Sequence, residues 1–366
     1  MLRKFFIFVV IFTSLLLTPF FINAQTGTAG AIFKARVIKV LEERKINRDD
    51  DSTAIQQNLL LEGLSGRLKG REVTSLGIGD FDVVSVGAYR AGDTVYVDPI
   101  IDQDGEERYF VTDYVRSGWL YLLAFIFILA TIIIGGRKGL KSLLSLALSF
   151  IVIIFLIIPQ LLAGANPLMV AALGSLSIMV IIIYVTDGFD RKSHLAVLAV
   201  FISLILTLLL AYLFTWLTRL SGFSTEEATL LIGTSAGSVN FQGLLLAGIL
   251  IGAVGVLDDI ILGQIEAVAQ IKKANSSLSA AEVFKMGIKV GRTHLGAIVN
   301  TLFLTYAGVS LPLLMLFYLN PSGPIDVFHV INNDIIATEI VRTLVGSIGL
   351  MLSMPLATYL ANRLLK

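Results

Sequence analysis

Long apolar segments recur through the last two thirds of the chain, and they limit what this sequence can fold into. Seven of them are long enough to cross the hydrocarbon core of a bilayer, which takes roughly 20 residues of α-helix. They lie at residues 117–135, 141–162, 167–186, 195–217, 239–262, 295–319 and 337–361. Because 55% of all residues are hydrophobic, the sequence predicts a polytopic α-helical membrane bundle of about seven transmembrane helices.

Charged residues divide the chain into two regions. Residues 25–116 hold 28 of the 55 Asp, Glu, Lys and Arg residues. Three stretches of this region alternate in polarity or are rich in aromatic and β-branched residues, as strands are: AIFKARVIKV, GDTVYVDPI and ERYFVTDYV. Asp104-Gly105 is a hairpin-turn signal before the last strand, and NRDDDST (47–53) is typical of a solvated loop. We expect an extracytoplasmic β domain at 25–116, a small OB-like or SH3-like barrel of about five strands, ahead of a membrane domain at 117–362.

The first 24 residues are typical of an export signal. Arg3 and Lys4 precede an apolar stretch at 5–17, and Ile22-Asn23-Ala24 offers a cleavage site. Isoleucine is less usual than alanine at the first of these positions, so a signal peptide and an uncleaved signal anchor both stay open. Either one sends residue 25 across the membrane.

Basic residues between the apolar segments indicate the orientation, because cytoplasmic loops carry an excess of Lys and Arg. With the β domain outside, the inner loops and the C-terminus hold Arg137, Lys138, Lys141, Arg191, Lys192, Lys272, Lys273, Lys285, Lys289, Arg292, Arg363 and Lys366. The outer loops hold only Arg219. We therefore expect a multi-pass protein of the bacterial inner or plasma membrane with a cytoplasmic C-terminus.

Composition excludes several classes of function. The net charge of +1 gives no reason to expect a nucleic-acid partner, and the absence of cysteine excludes disulfides and thiolate metal sites. With three histidines and no Walker A motif, we expect no metal, no cofactor and no ATP hydrolysis. The expected partners are the lipid bilayer and an unknown small solute or ion. A second copy of the chain and an extracytoplasmic protein stay open as further partners.

Two adjacent aspartates, Asp258 and Asp259, interrupt the apolar stretch GVLDDIILGQ. The topology places them near the cytoplasmic end of the fifth span, and the helical pattern continues beyond them until Asn275, a plausible stop. Adjacent helical residues point about 100° apart. Asp259 therefore falls on a polar stripe with Gly263, Glu266 and Gln270, while Asp258 faces a neighbouring helix.

Other polar residues reach the same depth: Asp187 at the end of the third span, and His294, Asn300 and Thr301 at the start of the sixth. If these helices adjoin, three carboxylates and a histidine converge at the cytoplasmic mouth, as in ion or proton relays. The structural alternatives stay open. Asp187 can be a turn residue, Asp259 can pair with a basic loop, His294 can be an interfacial anchor, and Asn300 can hydrogen-bond a neighbouring helix.

Two further features lie toward the outer side. Glu339 and Arg342 are three residues apart and can pair along one helix face, although an arginine facing an anionic ligand stays open. The stretch 226–243 holds many small and polar residues. It can be a broken half-helix of the kind that lines transporter sites, or it can simply allow close helix packing.

Four stretches resemble the YibE/F family of bacterial membrane proteins, and in particular its YibE-like members: TDGFDRK (186–192), GVLDDIILGQ (255–264), GRTHLGAIVNTLFLTYAGVSLPLL (291–314) and EIVRTLVGSIGLMLSMPLAT (339–358). In addition, GRLKGREVT and GDTVYV resemble the β domain that precedes the membrane part. The resemblance implies an integral membrane protein with a variable front domain. It supplies no substrate and no functional residues.

Three classes of function are compatible with these features. The first is a secondary transporter or ion-coupled permease, in which Asp258 and Asp259 bind the coupling ion and His294 and Asn300 orient or gate it. The second is a non-catalytic membrane assembly or sensor protein. The third is an intramembrane aspartyl hydrolase using Asp187 and Asp258, but the GxGD context of such enzymes is missing. We expect a permease and no enzymatic activity.

Overall fold

The computed structural model describes residues 31–47, 53–78, 88–102, 105–223, 240–319 and 327–365. The chain divides into two compact units with a boundary between Ala130 and Thr131. The predicted export signal at 1–24, and all of 226–243 except its last four residues, lie outside the described residues. The first unit contains the β-strands and the second contains most of the helices.

The first unit is built on an antiparallel five-stranded sheet. Its strands are β1 (Phe33–Asn47), β2 (Thr53–Gly63), β3 (Glu72–Leu76), β4 (Thr94–Ile101) and β5 (Glu107–Tyr114), in the order β3-β2-β1-β4-β5. A short 3-10 turn, Gly66–Leu68, follows β2. The two edge strands, β3 and β5, also approach one another. The structure confirms a small antiparallel β domain, while the OB-like or SH3-like barrel type stays a prediction.

Alternation along the strands creates the core of this domain. Phe33, Ala35 and Val37 lie on the buried face of β1, because successive residues of a strand point to opposite faces. Leu59, Leu61, Val95 and Val97 join them from β2 and β4. The predicted hairpin turn lies between β4 and β5. Its Gly105 has φ +78 and donates its N–H to the Asp102 carbonyl at 2.9 Å, whereas Asp104 lies outside the described residues.

The remaining elements are helices. They are α1 (Ser117–Val152), α2 (Ile158–Leu162), α3 (Pro167–Thr186), α4 (Arg191–Leu217), α5 (Phe241–Ala274), α6 (Ala280–Val309), α7 (Leu311–Tyr318), α8 (Val327–Ile331) and α9 (Asp334–Leu364). A π-helical turn, Ile153–Ile157, joins α1 to α2.

Five helices among the described residues are long and apolar enough to span a membrane. They are the continuous run Ser117–Leu162, α3, α4, α5 and α9. The run Ser117–Leu162 contains two of the predicted segments, and the predicted segment 295–319 falls on α6 and α7. The chain is therefore a multi-pass membrane protein by the length and composition of its helices, while the total of seven spans stays a prediction.

A sharp bend interrupts α1 at Gly136, where φ is 54° and ψ is −133°. In a straight α-helix, residues 131 and 139 would be about 12 Å apart along the axis. Here, however, a side chain on Gly139 would overlap the carbonyl oxygen of Thr131. The chain therefore changes direction at Gly136, which supports separating the predicted segments 117–135 and 141–162.

Replacing Gly136 by alanine is expected to destabilise the protein by about 1–3 kcal/mol, because a residue with a Cβ rarely adopts a backbone with positive φ. Nothing lies within 4 Å of the new Cβ, so the cost comes from the backbone alone. The matched control is Gly135→Ala, which also meets open space but has no positive φ. Thermal unfolding in detergent would show a lower melting temperature for Gly136→Ala only. Equal melting temperatures for the two variants would contradict this account of the bend.

The core of the second unit surrounds α5, which packs against α3, α4, α6 and α9. One face of α5 is fully buried through Leu257, Ile261, Ile265 and Val268, which recur at the spacing of a helix face. The helix ends at Ala274 with Asn275 as its C-cap residue, as predicted. This long central helix carries the two aspartates.

Candidate functional site

Asp258 and Asp259 lie about five turns into α5, counted from its start at Phe241. Asp258 is half-buried and Asp259 is exposed, whereas Leu257 and Ile260 on either side are buried. The side chains differ in environment because one helical step turns the direction by about 100°. The two carboxylates therefore face different neighbours.

The polar stripe predicted for Asp259 continues along α5. Gly263, Glu266 and Gln270 are all exposed, like Asp259. The Glu266 carboxylate accepts hydrogen bonds from Lys192 Nζ and from Gln270 Nε2, both at 2.6 Å. One side of α5 is thus hydrophilic over three turns, and a basic residue at the start of α4 lies against it.

Asp259 shares a cavity with His294. The cavity has a volume of about 120 Å³ and lies between α5, α6 and α9. Asp259 and Gly263 line it from α5, His294 and Gly291 from α6, and Met354 from α9. A carboxylate and an imidazole from two helices therefore line one pocket.

Close helix packing forms the wall of this cavity. A Cβ on Gly291 would lie 2.7 Å from both Gln264 Oε1 and Met354 Sδ, and a Cβ on Gly287 would lie 2.8 Å from Thr358 Cγ2. These two glycines, four residues apart on α6, let its backbone approach α5 and α9, as small residues do in membrane bundles. His294 follows Gly291 by three residues, so it stays on the same side of α6 and reaches the cavity.

Gln264 joins the three helices beside this cavity. It was not among the predicted site residues. Its side-chain amide is buried and donates to the Gly287 carbonyl and to Thr358 Oγ1, both at 2.7 Å. A signal was present, because Gln264 follows Ile261 by three residues on the apolar face of α5. A polar residue on a buried helix face requires a hydrogen-bond partner.

Asp187 lies at the C-terminal end of α3, where its N–H donates to the Ile183 carbonyl at 3.0 Å. Its carboxylate is 3.9 Å from Lys138 Nζ. Lys141 Nζ donates to the Thr186 carbonyl at 3.1 Å. Asp187 therefore lies beside Lys138 and Lys141, which belong to the first predicted inner loop. It also lies within electrostatic range of Asp258.

Asn300 and Thr301 do not line the cavity that Asp259 and His294 share. Both are exposed on α6. Asn300 follows Gly291 by nine residues, or about two and a half turns, so it points to the opposite face of the helix. The Thr301 hydroxyl donates to the Ala297 carbonyl of its own helix at 2.9 Å.

Glu339 and Arg342 form the predicted ion pair on α9, with 2.7 Å between Glu339 Oε1 and Arg342 Nη1. Two glycines of α5 leave room beside this pair. Arg342 Nη2 lies 4.0 Å from the place of a Cβ on Gly248, and the Tyr306 hydroxyl lies 2.9 Å from the place of a Cβ on Gly252. Tyr306 and these glycines were not among the predicted site residues.

The Glu339–Arg342 pair belongs to a different level of the bundle from the Asp259 cavity. Glu339 precedes Met354 by fifteen residues on α9, which corresponds to about 22 Å along the helix. Of the predicted site residues, the structure therefore places Asp259 and His294 at one cavity and pairs Glu339 with Arg342, whereas Asp258 does not line that cavity. Among the described residues, no group of three or more acidic and histidine side chains could hold a metal ion.

A sheet domain followed by long apolar helices, with carboxylates inside the helical unit, defines a multi-pass membrane protein with a separate front domain. The model of the YibE/F-like protein family matches residues 123–366, and the chain belongs to this family. This confirms the resemblance found in the sequence. No curated protein and no solved structure matches the chain.

Proposed function

We propose that the protein is a secondary transporter, an ion-coupled permease of the bacterial inner membrane, in which the carboxylates of α5 bind the coupling cation. The observation that carries this proposal is the cavity that Asp259 and His294 share between α5, α6 and α9. Ionisable side chains within apolar helices are costly and commonly mark ion pathways. If these positions had only a structural role, apolar residues would fill them at a lower free-energy cost.

Asp259 and His294 supply a carboxylate and an imidazole to one cavity, in which a bound cation or water would lie between them. A carboxylate attracts the cation, and an imidazole can change its charge near neutral pH. Asp258, one residue away and half-buried, provides a second carboxylate on the same helix. Binding of a cation would neutralise this local negative charge and thereby favour a different packing of the helices around it.

The basic residues support a cytoplasmic position for this site. Lys138 and Lys141 of α1 contact Asp187 and Thr186 at the end of α3, and Lys192 lies beside Glu266. An excess of basic residues marks the cytoplasmic side of a membrane protein. The proposed pathway therefore has its inner mouth near the C-terminal half of α5.

The test is a current measurement on the purified full-length protein in liposomes adsorbed to a capacitive sensor. Rapid jumps of Na⁺, K⁺ or pH are applied one at a time, with and without a panel of small solutes. We expect one cation to evoke a transient current that protein-free liposomes lack. Asp259→Asn is expected to reduce this current at least tenfold, because the amide keeps the shape and loses the charge.

Asp259→Glu is the matched variant, since it retains a carboxylate in the same cavity and is expected to retain part of the current. A current in Asp259→Asn equal to that of the wild-type protein would exclude the assigned role of this residue. No current with any cation would favour the assembly or sensor function over transport.

A further inference from the structure

A second cavity, with a volume of about 750 Å³, lies where α5 and α9 end and α6 begins. Lys192, Gln270, Lys272 and Lys273 line it, together with polar residues of the α5–α6 connection and the end of α9. Lys272 follows Asp259 by thirteen residues, or about 20 Å along α5. This cavity, which we call the lysine cavity, is therefore separate from the proposed cation site.

The charges that line the lysine cavity are of one sign. Its described lining includes three lysines and no side-chain carboxylate. Lys192 has a counter-charge nearby, because its Nζ lies 2.6 Å from Glu266 Oε2. Lys273 is exposed, and none of the ion pairs among the described residues includes it.

Lys272 is bound to neutral groups. Its Nζ donates to the carbonyl oxygens of Asn362 at 2.5 Å and Leu365 at 2.6 Å, at the end of α9. These carbonyls carry only partial negative charge, so they give the ammonium group no full counter-charge, and they use two of its three N–H donors. Lys272 is also partly buried, and a partly buried charge is stabilised by an opposite charge.

Hydrogen bonds join the three helices that form the walls of the lysine cavity. The two hydrogen bonds of Lys272 hold the end of α9 against α5, and Asn362 Nδ2 donates to the Ala280 carbonyl at 2.7 Å, which holds it against the start of α6. A cavity whose walls are already in place loses less entropy when it binds.

We propose that the lysine cavity binds a phosphate-bearing ligand through Lys272 and Lys273. Lysine ammonium groups bind phosphate as point charges, and two of them without carboxylate partners match the charge of a phosphate. The volume lies within the range of small-molecule sites, so it suits a phosphate attached to a larger group. This chemistry has two sources, the headgroup of an acidic phospholipid and a soluble organic phosphate.

The test uses the full-length protein in a neutral detergent, with its melting temperature followed by tryptophan fluorescence. The added probes are short-chain phosphatidylglycerol, short-chain phosphatidylcholine and inorganic pyrophosphate, each titrated separately. We expect a rise in melting temperature with phosphatidylglycerol, with pyrophosphate or with both, and no rise with phosphatidylcholine. A rise with phosphatidylglycerol alone identifies a lipid headgroup as the source, and a rise with pyrophosphate identifies a soluble phosphate.

Lys273→Gln is the decisive variant, because it removes one of the two charges. Among the described residues, no hydrogen bond involves the Lys273 side chain. The variant is expected to raise the half-saturating concentration about fivefold, the loss typical of one basic residue near an anionic group. Lys285→Gln is the control, since this lysine is exposed on α6 and does not line the cavity. The proposal is overturned if no anion raises the melting temperature, if phosphatidylcholine acts equally, or if both variants weaken binding to the same extent.

Discussion

Asp258→Asn is expected to abolish the cation-evoked current of the reconstituted protein. Asp258 is half-buried and follows the fully buried Leu257 on an apolar helix, where a negative charge is maintained only at a cost. Asparagine has the same shape and no charge, so the helix packing is retained while the attraction for a cation is lost. Currents after cation jumps in proteoliposomes measure the loss directly, and an imposed ion gradient should no longer drive a solute.

A matched control comes from the same helix. Glu266→Gln also converts a carboxylate of α5 to an amide, but this side chain is exposed and its partner is Lys192. It is expected to retain most of the current. Asp187→Asn is expected to give an intermediate loss, because Asp187 adds negative charge at the end of α3 that Lys138, 3.9 Å away, partly offsets. Equal currents in Asp258→Asn and Glu266→Gln would remove Asp258 from the proposed pathway.

Several parts of the structure could be predicted because the sequence signals were local. The strand patterns, the turn at Gly105, the end of α5 before Asn275 and the pairing of Glu339 with Arg342 each depend on residues a few positions apart. Hydrophobic periodicity, turn chemistry and helix-face spacing determine such features. The family assignment was also accessible, since it depends on ordered stretches of sequence.

The cavity of Asp259 and His294 could be anticipated only in part. No local sequence signal indicates which face of α6 approaches α5, because that depends on the contacts of Gly287 and Gly291 with Gln264 and Met354. These contacts join residues that are far apart in the chain. Once this face is known, the helical angle explains why His294 reaches the cavity and Asn300 does not.

The bend at Gly136 illustrates a second kind of difficulty. The basic residues Arg137, Lys138 and Lys141 predicted a loop between two spans, whereas the chain is helical on both sides of Gly136. A single glycine with positive φ redirects the chain there, so no extended loop is needed. The apolar helical run Ser117–Leu162 is therefore continuous in the chain, although the sequence predicted two separate segments within it, 117–135 and 141–162.

Gly349→Ala is expected to lower the stability of the helical unit by about 1–3 kcal/mol, the usual cost of inserting a methyl group into a well-packed core. Gly349 of α9 faces Thr207 of α4, and a Cβ there would overlap Thr207 Oγ1. Thr207 is fully buried, and its hydroxyl already donates to the Ser203 carbonyl at 2.8 Å. Relief of the overlap therefore requires either the loss of this buried hydrogen bond or the separation of α4 and α9.

Gly346→Ala supplies the control, because Gly346 is also buried on α9 but nothing lies within 4 Å of its new Cβ. Alanine is favoured over glycine in a helix by about 1 kcal/mol, so this variant is expected to keep or raise the melting temperature in detergent. The double variant Gly349→Ala with Thr207→Ala should recover part of the loss, since it removes the atom that the new Cβ meets. If Gly349→Ala melts at the same temperature as Gly346→Ala, α4 and α9 do not cross at this contact, and the close packing inferred for this part of the bundle is wrong.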